Sequence, residues 1–150
     1  MDIRGLWDAL ATFAVWCVAF AIGLHAHDLT RSESVVTVRG SEVRVRLTFD
    51  LLAIPGVDTN NDGEVSLGEL DERIDRIYAT IKDHFTARGD GPPVRTTLER
   101  YAVRDGHAAQ LDCLFAFDRD VTRLTMTSTL HRVLQPTHEH LTRVSFGADA

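Results

Sequence analysis

Between residues 42 and 51 apolar and polar positions alternate. Val43, Val45, Leu47, Phe49 and Leu51 fall on one side of an extended chain, and Arg44, Arg46, Thr48 and Asp50 on the other. A period of two with one apolar face predicts a half-buried strand. The preceding "SVVTVRGSE" predicts its partner, with Gly40 and Ser41 at a tight hairpin turn that tolerates positive φ. Alternation returns in "ERYAVRDGHAAQLDCLFAFD", where Asp105-Gly106 signals a type I′ turn and Leu111, Cys113, Phe115 and Phe117 share one face. Further strands are predicted at 121–131, with Leu124, Met126 and Leu130 inward, and at 141–146. About six strands joined by hairpins predict a mainly β (α+β) domain built as an antiparallel β-sandwich.

One segment changes period. Leu67, Leu70, Ile74, Ile77, Ile81 and Phe85 recur every three or four residues, with Asp71, Glu72, Arg73, Asp75 and Arg76 elsewhere. This predicts a single long amphipathic helix over about 67–88, its apolar stripe packed on the sheet. Glu72 and Arg76 are placed for an i,i+4 pair, and Gly89 followed by Pro92-Pro93 ends the helix.

The stretch that introduces this helix, "DTNNDGEVSLGE" over 58–69, has the spacing of an EF-hand calcium loop. A hard divalent cation takes six to eight oxygens, and a twelve-residue loop supplies them from positions 1, 3, 5, 7, 9 and 12. Those positions hold Asp58, Asn60, Asp62, Glu64, Ser66 and Glu69. Glu64 would contribute its main-chain carbonyl, Ser66 would act through a water, and Glu69 would supply a bidentate carboxylate. Gly63 stands at the sharp turn, and Val65 in the apolar eighth place points inward. Ser66 and Glu69 also spell a capping box, so a metal-free capped turn accounts for half of the pattern. It does not account for Asp58, Asn60 and Asp62 at steps of two. No helix is expected before the loop, because Ile54-Pro55-Gly56 comes directly after a strand. A lone loop with one helix cannot open a groove as paired EF-hand sensors do, which points to a structural Ca²⁺.

The first 26 residues differ in kind from the rest. Arg4 is their only cationic side chain, and residues 9–24 carry no charge. An uncharged run shorter than the roughly 20 residues of a bilayer span, followed by "GLHAHD", predicts an export signal cleaved after Ala26. The alternative is a membrane anchor over 6–24 with the domain outside the cytoplasm. Either way residues 27–150 form one exported domain, periplasmic or secreted. A formal net charge of −6, without a basic cluster, argues against nucleic acid as a partner. Cys17 lies in the leader, so Cys113 has no disulfide partner in the exported part.

Cleavage after Ala26 would expose the amine and imidazole of His27, and His138 and His140 lie two apart, on the same side of an extended stretch. Together they form an alternative transition-metal site, for copper or nickel. His84 and His107 have no partner in sequence and are expected at the surface. Cys113 sits on an apolar strand face, where a thiol acts as a small hydrophobe, and no catalytic motif occurs, so no enzyme is expected.

The order of features resembles the soluble, extracytoplasmic N-terminal region of HupE/UreJ-type membrane proteins. The likeness rests on "AHAHDL", a strand pair, "DTNNDGEVSLGEL", a helix and more strands. It implies an extracytoplasmic domain with a membrane protein as partner and a tie to metal-accessory transport. In that family a membrane-spanning bundle comes next in the chain. Its segments are not in this sequence, and transport is not carried over.

Overall fold

The first two alternating runs pair as expected. A computed structural model describes residues 31–134 and 137–147; the leader, His27 and Pro136 lie outside them. β1 (Arg31–Arg39) and β2 (Glu42–Asp50) form an antiparallel hairpin in which Gly40 takes a φ of +53°. β4 (Arg95–Arg104) and β5 (Ala108–Ala116) form the second hairpin, with Asp105 at φ +50° and Gly106 at +74°, the double positive φ of a type I′ turn. β5 pairs with β2, and β7 (Glu139–Phe146) with β1, giving a five-stranded sheet of order β4-β5-β2-β1-β7.

The fold is mainly β, but the sheet is mixed: β7 runs parallel to β1, where the sequence predicts antiparallel pairing. Hydropathy alone does not distinguish the two directions, since either buries alternate residues. A bulge at Leu98/Arg100 keeps Leu98 and Tyr101, three apart in sequence, on the core side of β4.

The predicted single helix is two. α1 (Leu67–Asp71) closes when Arg73 N–H donates to the Leu70 carbonyl at 3.0 Å, and α2 (Ile74–His84) starts after Arg73, whose φ of −124° and ψ of −2° are not helical. Residues 85–88 are not helical but form β3 (Phe85–Arg88), paired with β6 (Thr125–Ser128). Phe85 lies four residues after Ile81, so it fits a helical stripe, yet it begins the strand alternation of buried Phe85 and Ala87. Two periods share that residue, and the sequence does not show where one hands over to the other.

Ile74, Ile77 and Ile81 of α2 join Val45, Leu47, Phe49, Leu111 and Phe115 of the sheet in one buried cluster, completed by Phe85 and Ala87 of β3. Thus α2 and the β3–β6 ladder cover one face of the sheet. Among the described residues no element covers the other face, which carries cross-strand ion pairs, Arg44 to Glu99 at 2.7 Å and both Arg46 and Arg100 to Asp112 at 2.8 and 2.9 Å. Among the described residues no helix is long and apolar enough to cross a membrane.

Candidate functional site

The 58–69 loop leaves the sheet without an incoming helix, as its sequence predicts. β2 ends in a single 3-10 turn, Leu51–Ala53, capped by Asp50 Oδ1 accepting from Leu52 N–H at 2.8 Å. Gly56 then turns the chain at φ +74°. Three buried apolar residues pin the loop to the core: Val57 just before it, Val65 in its eighth place and Leu70 just after it. Val65 N–H donates to the Gly106 carbonyl at 2.5 Å, docking the loop on the β4–β5 turn. The Glu64 side chain lies against Gly106, where an added Cβ would meet it at 3.5 Å.

Inside the loop the acidic and amide side chains fold back on the main chain. Asp58 accepts from Asn61 N–H at 2.6 Å and from Gly63 N–H at 3.0 Å through its two oxygens. Asn60 Oδ1 accepts from Asp62 N–H at 3.0 Å, and Asp62 Oδ1 from Glu64 N–H at 2.9 Å. These local bonds favour the tight curvature over an extended or helical path. Gly63 has a φ of +83° and Asn61 of +57°, left-handed positions that glycine and asparagine adopt most readily.

Glu69 closes the loop. One carboxylate oxygen accepts from the amide and hydroxyl of Thr59 at 2.8 and 2.7 Å, and the other from the amide and hydroxyl of Ser66, both at 2.9 Å. Ser66 Oγ in turn accepts from Glu69 N–H at 3.2 Å, completing the capping box of α1. The Ser66 amide, then the Thr59 hydroxyl and amide and the Ser66 hydroxyl, pull the Glu69 carboxyl down to about 2, so it is ionised at every physiological pH.

The donor set is hard oxygen, which suits Ca²⁺ rather than a softer metal. Among the described residues no ion pair engages Asp58, Asp62, Glu64 or Glu69; Arg31, Arg44, Arg46, Arg100, Arg119 and Arg143 pair with other carboxylates. Four carboxylates in twelve residues thus form a field of one sign. Among the described residues no three His, Cys, Asp or Glu side chains already converge on one point. Like charges repel, and the oxygens of Asp58, Asn60 and Asp62, which accept one bond each, retain a further lone pair for a cation; each Glu69 oxygen already accepts two bonds, some of which a bidentate cation would replace.

The histidines fall into different settings. His138 and His140 lie on one side, as their spacing predicts, and share a partner: Ser32 Oγ is 2.6 Å from His138 Nε2 and 2.5 Å from His140 Nδ1. His140 Nε2 is 3.0 Å from Ser34 Oγ, which is 2.9 Å from Thr142 Oγ1. Ser32 and Ser34 are buried, and the His140 ring meets Phe85 edge-on at 5.3 Å. Burial, then the neighbouring His138, lowers His140 to about 4, so it is neutral near pH 7. Both its ring nitrogens are committed to serine hydroxyls. His84, expected at the surface, is half-buried with Nδ1 2.9 Å from Thr129 Oγ1, and His107 is half-buried with Nε2 3.7 Å from Asp50.

Cys113 is buried, and its thiol is pushed up to about 12, chiefly by burial and then by Asp112 and Glu99. A thiol held protonated is a poor nucleophile. No protein-family model matches the chain, and no curated protein matches it in sequence.

Sequence reasoning missed three contacts: the Thr59 clasp on Glu69, the docking of Val65 on Gly106, and the serines around His140. Only the first has a local signal, a Thr in the second place of the loop. The other two join residues far apart in the chain.

Proposed function

We propose that this chain is an exported calcium-binding domain, a sandwich-like, mainly β fold in which Ca²⁺ fixes the crossover from β2 to α1. Asp58, Asn60 and Asp62 would bind through side-chain oxygens, Glu64 through its carbonyl, Ser66 through a water and Glu69 through both carboxylate oxygens. The observation that carries this reading is the closure of the loop by Glu69. Its carboxylate is held ionised between Thr59 and Ser66, near the two ends of a segment whose other oxygens are already drawn in by main-chain amides. The bound ion would neutralise a field that, among the described residues, no cationic side chain offsets through an ion pair.

Ca²⁺ here is structural. Exported proteins meet it at high concentration, so a site of roughly 10⁻⁴ to 10⁻³ M would remain filled. The role of the domain would be binding or interaction, not catalysis; the protonated Cys113 fits that reading. Export would be directed by the apolar leader, and the likeness to HupE/UreJ-type extracytoplasmic regions makes a membrane protein the partner to look for. Hydrogen exchange with and without Ca²⁺ tests the assignment: the amides of Asn61, Gly63 and Val65 are expected to gain protection. Unchanged exchange in the loop at millimolar Ca²⁺ would overturn it.

A further inference from the structure

The two edges of the five-stranded sheet are unlike. β4 carries Arg95, Glu99, Arg100 and Arg104 and a bulge, devices that keep an edge from pairing. β7 carries Leu141, Val144 and Phe146, exposed at 54%, 44% and 60%. No bulge interrupts its ladder with β1. Gly147 N–H donates to the Val38 carbonyl, and the ladder alternates, so odd residues of β7 face β1 while the main-chain groups of His140, Thr142, Val144 and Phe146 point outward.

We propose that β7 pairs with β7 of a second copy, antiparallel about a two-fold axis at Leu141, making one continuous ten-stranded sheet. The charges select this register. With Leu141 opposite its own copy, Glu139 of each chain faces Arg143 of the other on the open face of the sheet. Within one chain Glu139 already lies 3.9 Å from Arg31, and Arg143 3.7 Å from Glu33. Across the seam the order becomes Arg31, Glu139, Arg143, Glu33, alternating in sign through four strands, and the axis repeats it. Centring on Arg143 would set like charges face to face, which is destabilising. Leu141 has inward-directed main-chain groups, so its pair is of the close, non-hydrogen-bonded kind. His140 and Thr142 then exchange about four main-chain hydrogen bonds across the axis.

The test is register-specific cross-linking of the full chain. In the Leu141→Cys variant the two new thiols face each other at strand-pair distance, and mild oxidation is expected to give covalent dimer well above wild type. Ser145→Cys, on the same face but eight residues from its copy across the axis, is expected to give none. Sedimentation of unlinked protein should show a dimer that Arg143→Glu weakens about tenfold or more, and mixing Arg143→Glu with Glu139→Arg chains should restore association. A wild-type monomer, equal cross-linking at 141 and 145, or a dimer indifferent to Arg143→Glu would overturn the proposal. A monomer would mean that another segment, from this chain or a different protein, covers the edge.

Discussion

At the scale of single residues the candidate site turns on Glu69. Glutamine keeps its length and one acceptor but removes the charge and one of the two oxygens proposed to coordinate the ion. Glu69→Gln is therefore expected to lower Ca²⁺ affinity at least about tenfold; its single carbonyl keeps one clasp, to Thr59 or to Ser66, and its NH2 faces the donors of the other, while the buried Val57, Val65 and Leu70 leave the metal-free fold largely in place. Isothermal titration checks this, and equal affinity in the variant would remove the loop assignment. Cys113 offers a second check. Its buried, protonated thiol is expected to stay unmodified by an aromatic disulfide reagent in native protein and to react on unfolding. Fast reaction of the native thiol would reopen a nucleophilic role.

At the scale of elements, Ser66 serves two structures, as N-cap of α1 and as a member of the loop. Ser66→Ala removes the acceptor for Glu69 N–H and is expected to cost about 1 kcal/mol; chemical denaturation measures it. The hairpins were legible because Gly40-Ser41 and Asp105-Gly106 are local signals flanked by clean alternation. The closed turn at 58–69 was legible for the same reason, since the side-chain to main-chain bonds that shape it lie within twelve residues. What the sequence did not show was non-local or shared between periods. The parallel direction of β7 depends on a partner strand more than a hundred residues away. The handover from α2 to β3 falls on Phe85, which suits both patterns. The Arg73 break in the helix interrupts a stripe that Leu70 and Ile74 would continue equally well.

At the scale of the whole molecule the buried cluster beneath β7 makes stability depend on pH. His140 is lowered to about 4 in the fold, below the ordinary value of 6.5, so the unfolded chain takes up its proton first. Below 6.5 the unfolded state gains protons that the native state refuses, and stability falls as pH drops from 6.5 towards 4. Among the described residues the groups facing this ring are His138 beside it, Ser32 and Ser34 from β1 and Phe85 from β3, with no carboxylate bonded to it. Replacing His140 with Gln is expected to flatten the pH dependence in that window, as tracked by melting temperature. An unchanged slope would place the dependence elsewhere.

Calcium binding is expected to be coupled to the stability of the whole fold. The loop joins β2 to α1 and is pinned by Val57, Val65 and Leu70, so holding it closed should be felt across the core. Occupancy at 10 to 100 times Kd corresponds to about 1.4 to 2.7 kcal/mol. The most direct measurement is calorimetric titration of Ca²⁺ into chelator-treated protein, with thermal melts of the metal-free and loaded forms. Saturable binding at one site per chain and a melting temperature raised by several degrees are expected, both strongly reduced in Glu69→Gln. No binding at millimolar Ca²⁺, or binding that leaves the melting temperature unmoved, would contradict this coupling.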